Sequence, residues 1–243
     1  MTTWFLALAA LVSFLAGATA SIVGFGVGSL LTPVVALTFG TDVAVAVVAL
    51  PHLAGGLLRG WQLRRAIDRR IVVRFGLLSA LGGLLGALVF ARIAPAVLTR
   101  VLGALLITAA TAGVTGWAQR WTPSGPVTWA LGALSGFFGG VVGNQGGLRT
   151  AALSAFGLSP AVFVATSTII GVMIDAVRVP VYLARASTSL AGLWQLVVLS
   201  IAGVVAGTLM GDRILLGLSR ERFRIIVSVA IGLLGLWFLS GPA

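Results

Sequence analysis

Few side chains in this sequence could do chemistry, and most of those stand where an apolar residue is expected. Arg149 follows a glycine-rich stretch, the single histidine His52 follows Pro51 in mid-run, and Asp175 and Arg178 sit three residues apart in another apolar run. A guanidinium offers a planar pair of N–H groups that fits the edge of an oxyanion. Arg149 therefore reads as an anion ligand or, alternatively, as a snorkelling or ion-paired structural arginine. His52 could exchange a proton near neutral pH, or stand neutral against a backbone carbonyl. Asp175 and Arg178 share a helix face at this spacing and pair, either as a structural ion pair or as a gating or proton-coupling element.

Two glycine-rich breaks accompany these residues. The first reads Gly24-Phe25-Gly26-Val27-Gly28 and runs on through Ser29, Thr32 and Pro33; the second reads Gly139-Gly140-Val141-Val142-Gly143-Asn144-Gln145-Gly146-Gly147 and runs on through Arg149 to Thr150. Each precedes an apolar segment of barely half the ~20 residues that span hydrocarbon. A helix that begins inside a membrane presents unpaired N–H groups and roughly half a positive charge, and glycine lets a ligand approach that backbone closely. Two such ends facing each other make an anion site, with Ser29, Thr32, Asn144 and Gln145 as added donors. Thr41 or Asp42, and Ser159, are the expected caps of the next helices. About ten residues further, ~15 Å along each, come His52 and the hydroxyl run Thr166-Ser167-Thr168, which reach the depth of the midplane.

Several chemistries are excluded. The chain has no cysteine, one histidine and five carboxylates, so neither a metal nor a cofactor is expected. A net charge of +11 could suggest nucleic acid, but all 16 basic residues are arginines and most cluster between apolar runs, six from Arg59 to Arg74 and four from Arg213 to Arg224, which reports membrane topology instead. The Gly-Phe-Gly-Val-Gly string has no strand before it and is weak evidence for a nucleotide. An intramembrane hydrolase built on Ser135 and His52 lacks a nucleophile elbow, so no enzyme is expected.

The elements that must position these residues are membrane helices. Hydrophobic residues make up 59% of the chain and charged ones 9%, with a mean hydropathy of +1.13, against roughly 25% charged in a water-soluble domain. Apolar runs predict helices over 3–23, 29–39, 42–61, 71–91, 95–117, 127–142, 147–156, 160–184, 190–210 and 221–239. The first resembles a signal peptide ending Ala18-Thr19-Ala20, but no positive residue precedes it, so it reads as a retained membrane helix. Trp4, Trp117, Trp121, Trp129 and Trp237 lie towards segment ends, as interface anchors do.

The chain is also a duplication. Phe39-Gly40-Thr41-Asp42 aligns with Phe156-Gly157-Leu158-Ser159 at an offset of 117, and Gly82 to Gly86 with Arg92-Ile93 aligns with Gly203 to Gly207 with Arg213-Ile214 at an offset of 121. These later glycines read as close-packing positions. Placing the segment from Arg59 to Arg74 in the cytoplasm puts Arg120 and the segment from Arg213 to Arg224 there too, and leaves Arg92, Arg100 and a loop around Arg185 outside. This works if the helix pair at each break leaves on the side it entered, and it makes the second half inverted relative to the first. Inverted repeats with a site at their interface are the architecture of many secondary transporters.

The two break sequences, GFGVGSLLTPVVALTFG and GGVVGNQGGLRTAALSAFGLSP, with FVATSTII after the second, resemble the TauE/SafE family, the sulfite and organosulfonate exporter group. The likeness covers nearly the whole chain and implies movement of small sulfur-containing or organic anions without an ATPase of the protein's own. Gly24, Gly26, Gly28, Pro33, Gly143, Gly146 and Gly147 are the matching positions. Where the family often carries a proline after the second glycine cluster, this chain has Arg149-Thr150-Ala151, and Asn144-Gln145 interrupts the glycines.

The expectation is thus an all-α polytopic protein of the plasma (inner) membrane. Its repeats, 1–120 and 121–243, each hold a re-entrant or hairpin helix pair plus three transmembrane helices. It would act as a secondary transporter of a small anion such as sulfite or a sulfonate, exporting rather than importing on the resemblance. Protons are the candidate coupling ion, and a channel-like anion or proton pathway is the alternative.

Overall fold

The structure is a computed structural model and describes residues 2–24, 26–90, 92–144, 146–214 and 220–240. Among the described residues it is all helical, without a strand. The helices are α1 (Thr3–Val23), α2 (Val27–Phe39), α3 (Thr41–Gln62), α4 (Arg69–Ile71), α5 (Leu77–Phe90), α6 (Pro95–Thr115), α7 (Trp117–Arg120), α8 (Pro126–Val142), α9 (Gly146–Ser154), α10 (Pro160–Gly192), α11 (Trp194–Ile214) and α12 (Arg220–Ser240). A π-helical turn, Val72–Gly76, joins α4 and α5 into one rod.

Local chemistry sets most of these limits. Proline opens α6, α8 and α10, where its missing N–H is no loss. Glycines in the left-handed region close α1 (Gly24), α6 (Gly116) and α8 (Gly143). Two expectations need correction. The run expected to end at Ala184 continues as one helix of 33 residues to Gly192, so Arg185 lies in a helix and not in a loop. No glycine stops the chain earlier in that stretch, and Pro180 is accommodated within it. The expected caps also make no side-chain cap bond. Gly40 stands at the α3 N-cap, Thr41 turns to Thr99 with 2.7 Å between hydroxyls, and Ser159 holds the α10 N-cap position with its carbonyl accepting from Phe163 but no cap bond from its side chain.

Five helices among the described residues are long and apolar enough to cross a membrane: Thr3–Ile22, Thr41–Gln62, Arg69–Phe90, Pro95–Thr115 and Pro160–Arg185. Shorter apolar helices lie at Val27–Phe39, Pro126–Val142, Trp194–Met210 and Ile225–Ser240. Large apolar side chains such as Leu81, Leu85, Leu233 and Trp237 point outward, as lipid-facing residues do.

Glycines decide how the rods pack. A methyl group on Gly17 would strike the Val204 backbone, and one on Gly207 the Phe14 carbonyl, so α1 and α11 touch main chain to main chain. Gly86 against Phe137 and Gly140 against Gly83 do the same for α5 and α8. In both pairs the contacts rise together in sequence, Ala10 with Gly203 and Phe14 with Gly207, Ala133 with Gly82 and Phe137 with Gly86, so the helices run parallel. By contrast α3 crosses α10 antiparallel, His52 meeting Asp175 and Arg59 meeting Thr168. The same holds for α6 on α12, where Gly103 meets Gly235 and Gly113 meets Ser228.

Candidate functional site

The two glycine breaks meet. α1 ends at Gly24 (φ 83°), and α2 begins after Gly26 (φ 145°), which is its N-cap and offers no side chain to its first N–H groups. α8 ends at Gly143 (φ 71°), and α9 begins at Gly146. These φ values belong to glycine, because a Cβ would be strained there. A Cβ on Gly28 would also collide with the Gly143 carbonyl oxygen, so the first turn of α2 lies directly on the end of α8. Ser29 Oγ donates to Asn144 Oδ1 at 3.1 Å and ties one break to the other. Between them lies a cavity of about 10 Å³, room for about one water, lined by Gly26, Gly28, Ser29, His52, Gly143, Asn144, Gly146 and Arg149.

The side chains at this cavity carry unmet hydrogen-bonding capacity. Arg149 is 2% exposed, and its Nε and one terminal nitrogen have no partner among the described residues. Asn144 Nδ2 at the cavity and Thr32 Oγ1, just outside its lining, are likewise buried and without a partner among the described residues. Gly171 makes room for the guanidinium: a Cβ at that position would lie 3.2 Å from an Arg149 terminal nitrogen and 3.7 Å from His52 Cε1.

Behind His52 stands a satisfied ionic group. Asp175 Oδ2 lies 2.5 Å from His52 Nδ1, and Arg178 Nε donates to Asp175 Oδ1 at 2.7 Å. Arg178 also donates to the Gly139 carbonyl at 2.7 Å, and the Tyr182 hydroxyl donates to the Gly140 carbonyl. Those carbonyls belong to the last turn of α8, where a cation is favoured, and the Gly139 oxygen also accepts from the Gly143 amide at 3.1 Å. Arg178 therefore has its counter-charge in contact, whereas Arg149 makes no ion pair among the described residues.

Residues 9–238 match the family described as Sulfite exporter TauE/SafE. The chain belongs to that family. TauE/SafE proteins are transporters, and with its apolar helices this one is a multi-pass membrane transporter. No curated protein and no solved structure matched the chain.

Not every expected site residue in this TauE/SafE chain reaches the cavity. Gly24 lies just beside it, its carbonyl 3.5 Å from Ser167 Oγ, and Gly147 sits in the first turn of α9. Thr32 lies one step behind, near Gly143. Thr168 instead accepts from Arg59 Nε at 2.9 Å, and Thr166 accepts from the Asp68 amide at 3.0 Å, so both belong to a separate group near the end of α3. Phe25 and Gln145 lie outside the described residues. Ser135 is not among the residues that line the cavity. Sequence reasoning missed Gly171, Arg59 and Tyr182. Arg59 looked like one more member of a cytoplasmic arginine cluster, and only its burial, at 4% exposure, separates it from that cluster.

Proposed function

We propose that this transporter is a secondary carrier of a small oxyanion, with sulfite or a sulfonate as the leading class, held between the N-termini of α2 and α9. The observation that carries the reading is Arg149, a buried guanidinium with unpartnered nitrogens at a cavity shared by both glycine breaks. Leaving such a charge unanswered costs several kcal/mol, and an anion there would satisfy it together with Asn144 Nδ2 and the free N–H groups of two helix ends. A planar fork suits an oxyanion edge better than a point charge would.

Residues 1–120 and 121–243 act, on this reading, as inverted repeats of one integral membrane domain, with the site near the midplane where they meet. Supporting this, α3 and α10 occupy corresponding places in the two halves and cross antiparallel, as do α6 and α12, while α1 on α11 mirrors α8 on α5. Alternating access then moves one set of helices against the other around the site. The plasma (inner) membrane is the proposed location, export the proposed direction, and His52 with Asp175 and Arg178 the proposed proton-coupling or gating group. The small size of the cavity favours a carrier over a channel-like pathway.

The test is flux of radiolabelled sulfite and of a sulfonate in proteoliposomes. Saturable flux that Arg149→Ala abolishes, with the variant still inserted and monodisperse, supports the proposal; undiminished flux in that variant removes Arg149 from the site.

A further inference from the structure

We propose that Arg59 and Thr168 form a second anion-binding position, two helical turns from Arg149's cavity, taking the same class of small oxyanion. The identity of the anion rests on the reading given under Proposed function; the position itself rests on separate residues.

Arg59 is 4% exposed, its Nε donates to Thr168 Oγ1 at 2.9 Å, and one of its terminal nitrogens has no partner among the described residues. Of the buried arginines Arg59, Arg149 and Arg178, Arg178 alone makes a described ion pair with a carboxylate, and that carboxylate also holds His52. Arg59 is thus a second buried cation without an ion pair among the described residues, and Asp175 acts on it only from beyond ion-pair distance. A small anion is the group that answers it, and the Thr168 hydroxyl, already accepting from Arg59, still has its own proton to donate to such a guest.

Register places this pair on a path. His52 and Arg59 are seven residues apart on α3, and Asp175 and Thr168 seven apart on the antiparallel α10. The seam between the helices therefore carries two polar levels about 10 Å apart. The level at Arg59 lies beneath the basic connection that follows α3, because the Asp68 amide in that connection donates to Thr166, two residues from Thr168. An anion gathered by Arg64, Arg65, Arg69 and Arg70 meets Arg59 before Arg149. Two anions so close repel, so filling one level weakens the hold of the other, as in multi-site conduction.

Equilibrium binding of radiolabelled sulfite to the purified full-length protein in detergent tests this. The expected stoichiometry is two anions per chain for the wild type, one for Arg59→Gln, one for Arg149→Ala and none for the double variant. A single equivalent in the wild type, or two retained in Arg59→Gln, overturns the second position. Two equivalents in Arg149→Ala with one in Arg59→Gln would sink the cavity reading and leave this one standing. If Arg59→Gln fails to fold, Thr168→Val keeps the charge and removes the hydroxyl; about tenfold weaker binding of one equivalent is expected, and two unaltered equivalents overturn the proposal.

Discussion

His52 Nδ1 and Asp175 Oδ2 lie 2.5 Å apart across the seam of α3 and α10, although 123 residues separate them in the chain. Asp175 in turn holds Arg178, so one buried carboxylate fixes both the imidazole at the cavity wall and the guanidinium that caps the end of α8. This one acid thus joins groups from both halves of the chain, His52 on α3 and Arg178 on α10.

Removing that acid should be costly. Asp175→Asn leaves Arg178 buried without its counter-charge, and destabilisation of about 3–5 kcal/mol is expected. Thermal unfolding in detergent, followed by loss of the monodisperse peak, reads it. A transition unchanged from wild type would mean that the charge is answered elsewhere.

His52→Gln keeps a side chain able to bond Asp175 but cannot carry a proton at neutral pH. If His52 couples protons to anion movement, this variant should still bind sulfite while its flux no longer responds to an imposed pH gradient. Retained gradient sensitivity would assign coupling to another group.

Arg149→Lys should separate charge from shape. The lysine keeps the positive charge and loses the planar fork, so flux should fall by about tenfold, against about a hundredfold or more for Arg149→Ala. Equal activity of Arg149→Lys and wild type would show that charge alone suffices.

Gly171→Ala should act on the same guanidinium from the opposite helix, since its Cβ would lie 3.2 Å from an Arg149 nitrogen. A several-fold rise in the KM of sulfite flux with an unaltered unfolding temperature is the expected pattern. Gly86→Ala and Gly207→Ala should do the reverse, because each places a methyl on a partner backbone and costs about 1–3 kcal/mol of stability.

The sequence made the helices readable because apolar length is a direct property of composition. The expected first helix, 3–23, matches α1, and the later ones differ mainly at their ends. The pairing of Asp175 with Arg178 was readable because helical spacing fixes it. What spacing within one helix cannot reveal is a partner on another. His52 had open alternatives until α10 brought Asp175 to it, and Thr166 and Thr168 looked like site donors until α3 claimed one of them through Arg59. Arg59 itself hid among neighbours of the same type, since sequence clustering does not distinguish a buried arginine from an exposed one. The helical extension beyond Ala184 was missed because a basic residue in an apolar chain invites a loop, whereas the backbone there has no reason to stop.

Because a single hydrogen stands where a methyl would hit the Gly143 oxygen, Gly28 makes each break the wall of the other. On the proposed mechanism, accommodating any solute larger than water requires those walls to part, so occupancy and hinge opening become one motion. A sulfonate with a bulky tail should behave as a doorstop: once seated, it would hold the two walls ajar and stall the cycle while remaining bound.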